Sequence, residues 1–293
     1  MTNPKSGLCA TLAAVRVITS IDSMRNVCRE LRHAGKSLGF VPTMGALHAG
    51  HLSLVQAARS QNAAVAASVF VNPTQFGPNE DLSKYPRDLD RDRALLEKEK
   101  VDLLFAPAAE EMYPPGAVTW VMVEGLSERL EGKSRPGHFR GVTTIVSKLF
   151  NIVEPDRAYF GQKDAQQAVI IRKMARDLDL RVEIVMCPTI RESDGLALSS
   201  RNVYLNSEER KQALVLYRAL CRVQALSDRG ERDAAKLRGA ALQIFAEEKQ
   251  VQLDYFEIVD KESLEPVADV SRGALVVVAA RVGKTRLIDN LVL

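Results

Sequence analysis

The chain has 293 residues, 46% hydrophobic and 26% charged, with a formal net charge of +3. This is the composition of a soluble globular protein, long enough for one sizeable domain or two modest ones. So small a charge argues against a nucleic-acid partner, and no apolar run approaches the roughly 20 residues of a membrane helix. The four cysteines, Cys9, Cys28, Cys187 and Cys221, form no CxxC pair, as expected of thiols in a reducing cytoplasm rather than of a disulfide framework or a zinc site.

Residues 1–15 read as a loose extension, and Arg16 makes the apolar stretch from Leu8 to Val17 a poor signal peptide. Val15 to Ile18 predicts a short strand. Ser20 caps a helix to Arg32, with Met24, Val27, Cys28 and Leu31 on one face and Gly35 beyond its end. The apolar run from Phe40 breaks at Pro42 and Gly45, and a helix opened by His51 follows, with Leu52, Val55, Ala58 and Arg59 at helical spacing. Ala63 to Val71 reads as a buried parallel strand. The breaker-rich stretch from Asn72 to Arg87 reads as a lid or binding loop. Asp88 to Lys100 predicts a charged helix, Val101 to Ala106 a strand, and residues 107–117 a Pro-rich loop. Gly132 to Gly141 is a basic, glycine-rich loop before a helix with Val142, Ile145, Val146, Leu149 and Phe150 apolar. Arg157 to Phe160 is a strand, a helix runs from the Gly161 region to about Leu178, and Val182 to Met186 is the last strand of this half. Beyond Pro188 the pattern changes: loops to Asn202, a helix capped by Ser207, helical sequence to 249, then strands at Leu253–Val259, Ala274–Ala280 and Leu287–Ile288. The expected fold is α/β: a Rossmann-like doubly wound parallel sheet over residues 1–187, with a smaller α+β lid domain over 188–293. Ligands in such sheets sit at the carboxyl ends of the strands.

His48-Ala49-Gly50-His51 places two imidazoles three residues apart at a helix entrance, directly after a strand and a turn. The first turn of a helix offers free N–H groups and a partial positive charge, a seat for phosphate, and the imidazoles add donors to a polyphosphate whose charge is growing. This HxGH pattern marks enzymes that transfer a nucleotide and release pyrophosphate. Three Gly-Lys-Ser/Thr triplets, at Gly35, Gly132 and Gly283, lack the glycine a P-loop needs five positions earlier, where Glu30, Ser127 and Val278 stand. Phosphate handling therefore falls to the histidine turn and the basic loops. Lys163 can hold a phosphate as a mobile point charge, and Asp164 can accept from ribose hydroxyls; both also read as an exposed lysine beside a helix cap. Leu198-Ser199-Ser200-Arg201 is either a polyphosphate clamp or a polar interdomain loop. Asn72 and Gln75 suit a neutral hydroxyl or a carboxylate, or simple turn making. Arg135 either contacts phosphate or faces water, and Asp92 is a solvated helix residue or a magnesium ligand.

Seven segments together carry a family resemblance. They are Pro42-Thr43-Met44-Gly45-Ala46-Leu47-His48-Ala49-Gly50-His51, the run from Phe70 to Phe76, Tyr85-Pro86-Arg87, the run from Arg135 to Val142, Phe160-Gly161-Gln162-Lys163-Asp164, the run from Leu198 to Asn202, and Arg286-Leu287-Ile288-Asp289-Asn290. In this order they resemble the pantothenate synthetases, or pantoate–β-alanine ligases, from about residue 16 to the end; Gln162 stands where an acidic residue is expected. The resemblance implies a two-step ligation. Pantoate carboxylate attacks the α-phosphate of ATP, giving pantoyl adenylate and pyrophosphate; the β-alanine amine then displaces AMP. It implies that His48, His51, Lys163, Ser199, Ser200 and Arg201 are catalytic. These residues would bind ATP together with Met44, Phe160, Gly161, Asp164, Leu198, and Pro188 and Ile190 at the adenine. Pro42, Thr43, Met44, Asn72, Gln75, Arg135 and Gln167 would hold pantoate or β-alanine, and Asp92 the magnesium that accompanies ATP. It also implies a homodimer, with no tightly bound organic cofactor, no nucleic acid and no membrane. Two rivals are an adenylyltransferase that keeps the nucleotide on its product, which leaves Gln75 and Gln167 unexplained, and a non-catalytic RNA-binding or nucleotide-sensing module, which the absence of a basic stripe disfavours.

Overall fold

The computed structural model describes residues 14–78, 80 and 82–293. The loose extension expected for residues 1–15 falls mostly outside them, and Val15, within them, is buried. In chain order the first unit runs β1 (Arg16–Ile18), α1 (Ile21–His33), β2 (Leu38–Thr43), α2 (Ala49–Gln61), β3 (Ala64–Val69), α3 (Leu89–Lys98), β4 (Leu103–Phe105), α4 (Ala109–Met112), α5 (Glu131–Ser134), α6 (His138–Val153), β5 (Arg157–Gly161), α7 (Ala165–Asp177) and β6 (Glu183–Cys187). Its six strands form a sheet in the order β1-β4-β3-β2-β5-β6, every pairing parallel. Successive side chains of a strand face opposite sides, so a sheet buried on both faces needs apolar residues at nearly every position. Leu38 and Phe40 of β2 pack with α1, α6 and α7, while Val41 packs on the other face with Leu54, Val55 and Ala58 of α2 and Leu96 of α3.

The rest of the chain forms α8 (Ser207–Asp228), α9 (Ala234–Glu247) and an antiparallel sheet of β7 (Val251–Val259), β8 (Leu275–Val282) and β9 (Thr285–Val292), with β8 central. Leu216, Leu220, Val223, Leu237 and Phe245 of the two helices cover one side of this sheet. Val259, Leu264, Leu275 and Val277 pack instead into the core of the first unit. A buried ion pair adds to the seam: Arg286 on β9 donates Nη1 and Nη2 to the two oxygens of Glu131 on α5 at 2.6 and 2.7 Å, and the Tyr255 hydroxyl donates to the same carboxylate at 2.7 Å.

Several local expectations shift. The histidine helix opens at Ala49 with His48 as its N-cap, so His51 lies inside the first turn. Asn206, not Ser207, caps α8, accepting from the N–H groups of Glu208 and Glu209. The expected loop from Gly132 to Gly141 contains most of α5 and the start of α6. The helical stretch to 249 is two helices, broken between Asp228 and Ala234, and the last strand is longer than its apolar core suggested.

Candidate active site

Strand order decides where a site forms. From β2 the chain steps to β3 on one side; much later it returns to lay β5 against β2's other edge, with Gly39 opposite Arg157. The connections therefore diverge at the carboxyl ends of β2 and β5, the place where open α/β sheets leave a crevice. The turn after β2 carries Met44 and the two histidines, and the turn after β5 carries Lys163 and Asp164. Residues more than a hundred positions apart in sequence thus meet because of topology.

The histidine turn is held by its own rings and by one distant carboxylate. Ala46 adopts a left-handed backbone (φ +51°), which a non-glycine residue holds only when its surroundings enforce it. Asp92 on α3 supplies that enforcement: Oδ2 accepts from the Ala46 N–H and Oδ1 from the Leu47 N–H, both at 2.8 Å, and the residue is 1% exposed. His48 Nδ1 then accepts from the Gly50 N–H at 3.1 Å, and His51 Nδ1 accepts from the His48 N–H at 3.4 Å. A β-carbon on Gly50 would lie 2.9 Å from the His48 ring, so only glycine lets the imidazole fold back over the helix start. The ring centroids are 4.1 Å apart.

Both Nδ1 atoms are acceptors, so a neutral ring carries its proton on Nε2 and presents it as a donor. Burial pushes the His48 pKa down to about 4, with the Lys163 ammonium adding to the shift; burial and then His48 push His51 down to about 3. The rings are neutral donors at physiological pH, not charges. They also occupy much of the helix start: the N–H groups of His51 and Leu52 already bond the His48 carbonyl. The imidazoles, rather than open backbone amides, are the donors this helix offers.

The loop after β3 enters as a 3-10 turn, Pro73–Gln75. Asn72, 1% exposed, is turned inward: Nδ2 donates to Gln75 Oε1 and the Gly141 carbonyl, both at 3.1 Å, while Oδ1 accepts from the Thr74 and Tyr113 hydroxyls at 2.9 Å. The turn lies flush on α6 at Gly141, where a β-carbon would come 2.4 Å from the Thr74 carbonyl oxygen. Gln75 Nε2 donates to Met44 Sδ at 2.6 Å. Its backbone carbonyl accepts from His138 Nδ1–H at 2.8 Å, which leaves His138 Nε2 to accept from Arg135 Nη1 at 3.0 Å. Burial, then Arg135, lowers the His138 pKa to about 4, so this ring too stays neutral, in the opposite tautomer to the other two. Arg135 completes its fork on Glu80, with Nε at 2.7 Å from Oε1.

Beyond β6, Pro188 leads into a hairpin closed by an Arg191–Ala197 bridge and a bond from the Leu198 N–H to the Ile190 carbonyl at 2.9 Å. Arg191 makes a two-pronged ion pair with Asp289, at 2.6 and 3.0 Å, and stacks on the Tyr217 ring at 4.5 Å. The hairpin ends in Ser199, which caps the 3-10 turn Ser200–Tyr204, its hydroxyl accepting from the Arg201 N–H at 3.3 Å. Leu198 reaches the first turn of α2, its Cδ2 within 3.8 Å of a β-carbon placed on Gly50.

A cavity of about 950 Å³ opens between these parts, lined among others by Gln75, Arg135, Lys163, Asp164, Ser199 and Arg201. A smaller one behind it is lined by Lys163, Asp164, Arg135 and Gln167. Met44, His48, His51 and Ser200 are not among the lining of either, but the charges of Lys163 and Asp164 act on both histidines. Pro42 and Thr43 end β2, where the Thr43 hydroxyl bonds the Ser68 carbonyl and the Gly45 N–H, a role in the turn itself. Phe160 and Gly161 end β5, and Phe160 is buried.

One reading is corrected by these contacts: Asp92 is no solvated helix residue, since both its oxygens accept from the Ala46–Leu47 backbone and it is buried. That turn-holding role competes with the magnesium role expected of it, and among the described residues no cluster of three or more His, Cys, Asp or Glu side chains could hold an ion by itself. Asn72, expected at the substrate, spends its side chain on Gln75, Gly141, Thr74 and Tyr113. His138, Glu80 and Asn290 were missed, since nothing in local spacing announces a partner tens of residues away.

The family profile described as pantoate-beta-alanine ligase matches residues 16–292. A pantothenate synthetase of Koribacter versatilis is 60% identical over 279 residues, spanning 95% of this chain and 96% of the relative. One from Thermotoga neapolitana is 58% identical over 279 residues, spanning 95% and 100%. The crystal structure of pantothenate synthetase from Thermus thermophilus superposes with a TM-score of 0.90 at 51% identity, over 94% of this chain and 99% of that one. That of the Francisella tularensis pantoate-beta-alanine ligase, complexed with beta-gamma ATP and beta-alanine, gives 0.77 at 35% identity, over 95% and 97%. Sequence, fold and crevice agree, and the chain belongs to the pantoate–β-alanine ligase family.

Proposed function

We propose that the chain condenses pantoate with β-alanine at the expense of ATP, through pantoyl adenylate, releasing diphosphate and AMP. The observation that carries this reading is the crevice between β2 and β5. Two neutral imidazoles that carry their proton on Nε2 lie within the electrostatic reach of Lys163, which itself lines a cavity with Ser199, Arg201, Gln75 and Arg135. In the first step the pantoate carboxylate, already ionised at neutral pH, attacks the α-phosphorus and diphosphate leaves. Negative charge builds on the departing oxygens. His48 and His51 donate Nε2–H bonds to them, and Lys163 and Arg201 supply the positive charge that neutral rings cannot. Ser199 and Ser200 add donors, Asp164 and Gly161 face the ribose, and Pro188 and Ile190 the adenine. Gln75 and Gln167 hold pantoate, the first fixed by Asn72 and by Met44. In the second step the β-alanine nitrogen attacks the acyl carbon, the acyl–phosphate bond breaks, and AMP leaves. Holding both reactants in line removes much of the entropic barrier.

Magnesium would come with ATP and would offset the negative charge of its phosphates, with Asp92 the expected protein partner. Residues 188–293 act as a lid that keeps water from the mixed anhydride. The exposed side chains of Val118, Trp120 and Met122 alternate along a segment whose Val121 backbone is tied to Thr143 and Thr144, and this ridge is the contact with a second copy in a homodimer. Free thiols at Cys28, Cys187 and Cys221 support a cytoplasmic setting, and no helix among the described residues is long and apolar enough to cross a membrane. The test is direct. Incubated with ATP, pantoate and β-alanine, the protein should yield pantothenate and AMP in equal amounts, and with β-alanine withheld it should exchange labelled diphosphate into ATP only when pantoate is present. Formation of ADP, or of an adenylated product that keeps its nucleotide, would refute the reading.

A further inference from the structure

The Arg286-Leu287-Ile288-Asp289-Asn290 motif has no part in the chemistry described so far. Its last two residues are buried, each 4% exposed, although they lie on a strand that pairs only with β8. Both are engaged with the two segments that bring positive charge and hydroxyls to the cavity. Asn290 puts its whole amide on the turn after β5. Nδ2 donates to the Gln162 carbonyl and to the Lys163 carbonyl, each at 2.8 Å, and Oδ1 accepts from Gln162 Nε2 at 3.0 Å. Asp289 takes the Arg191 fork and so fastens the hairpin that leads to Ser199 and Arg201.

We propose that Asn290 is a positioning residue for the adenylate-forming step, acting through Lys163. The inference rests on the reading of Lys163 as the group that holds the nucleotide phosphates. The physical reason lies in the geometry of a 3-10 turn. Gln162–Asp164 is a single turn, and its carbonyls have few partners within so short an element. Two donors from one amide, on consecutive carbonyls, set both the tilt of the turn and the direction in which the Lys163 side chain leaves it. The ammonium ends four bonds of free rotation away from that backbone, so a small tilt at the turn displaces it by a larger distance. Asn290 borders the smaller cavity, but its amide is spent on the turn, so in this scheme it touches neither reactant.

The test is a double-mutant cycle read in the first half-reaction, the pantoate-dependent exchange of labelled diphosphate into ATP. Parent, Asn290→Ala, Lys163→Ala and the double variant are compared. Asn290→Ala should lower the exchange kcat on the order of 10²-fold, the loss that follows a misplacement of about 1 Å. The pantoate KM should stay unchanged. In the Lys163→Ala background the same substitution should cost almost nothing more, because the group it positions is gone. Asn290→Asp fills the same space but turns acceptors onto two carbonyls, so it should exchange no faster than Asn290→Ala. Equal fold-losses in both backgrounds would overturn the proposal, since a general loss of structure is indifferent to Lys163. So would an Asn290→Asp variant working at the parental rate. If Lys163→Ala itself exchanges at the parental rate, the phosphate role of Lys163 fails and the inference fails with it; if only Asn290→Ala is unaffected, that role stands and the positioning alone is refuted.

Discussion

Replacing Asp92 by Asn separates two incompatible roles for this residue. The carboxylate accepts two backbone N–H bonds at 2.8 Å each while 1% exposed, and one of them comes from a residue with left-handed backbone. Asn keeps one acceptor and turns its amino group onto the other N–H. One charge-assisted bond is lost and the second becomes neutral; at about 1.5–3 kcal/mol for a bond to a charged group, the sum is roughly 2–4 kcal/mol. For a chain of this size that lowers the melting temperature by roughly 3–7 °C. Because the released turn carries His48, the exchange of diphosphate into ATP should slow as well. The assay pairs thermal unfolding with a magnesium titration of the exchange rate. A fall in melting temperature with an unaltered magnesium requirement is expected. A variant as stable as the parent that needs far more magnesium would refute the turn-clamp argument and restore the metal role.

Acid sensitivity follows from three depressed histidines. His48 and His138 are lowered to about 4 and His51 to about 3, against an ordinary value of 6.5. Below pH 6.5 the unfolded chain takes up protons that the folded one refuses, so the stability they contribute is complete above the unfolded value and drains away as pH falls toward the folded values. Unfolding followed by denaturant titration should show this loss between about pH 6.5 and pH 4, and His138→Gln should flatten part of it; a parental slope in that variant would be the contrary result. With ATP and diphosphate held as their magnesium complexes, no step of diphosphate exchange between about pH 6 and pH 8 should depend on His48 or His51; a step near pH 6.5 that His48→Asn abolishes would show a histidine of ordinary pKa. Gly141→Ala should displace the Gln75 turn and raise the pantoate KM by roughly tenfold or more, and an unchanged KM would mean that α6 yields instead. Glu131→Ala, which strips a buried partner from Arg286, should cost about 3 kcal/mol in chemical denaturation, whereas Glu265→Ala at the exposed Arg129 pair should cost under about 1 kcal/mol; equal losses would contradict the burial argument.

What could be read from the residues alone was whatever has a local period or a local breaker. The apolar run into β2 with its break before Gly45, the apolar spacing of α6 and the change of pattern after Pro188 all predicted elements that are present, within a few residues, although Pro42 itself stays paired within the strand. The histidine pair was visible because its spacing is itself helical. Long-range partners left no such trace. Asp92 and the Ala46 N–H it holds are 46 residues apart, and Asn290 and the Lys163 carbonyl are 127 apart. Asn72 and Gln75 were recognised as polar loop residues, yet only the fold shows that Asn72 is buried against Gly141 while Gln75, tied to Asn72 and Met44, borders the cavity. The Gly132 to Gly141 stretch was read as a loop because it is basic and glycine-rich; α5 forms there nonetheless, with Glu131 held by Gln166, Tyr255 and Arg286.

On the proposed reading each imidazole of the histidine pair has two jobs, one per nitrogen. Nδ1 closes the end of α2, and Nε2 is left for the reaction. Truncating His48 to alanine would then fray a helix and remove a donor in one stroke, and the lost rate would confound the two. Asparagine is a good helix cap whose short amide falls well short of the imidazole's far edge. His48→Asn is thus the substitution that leaves the scaffold closed while withdrawing the donor, and the gap between it and His48→Ala measures how much of the apparent catalytic power of an imidazole is really the tidiness of the helix it caps.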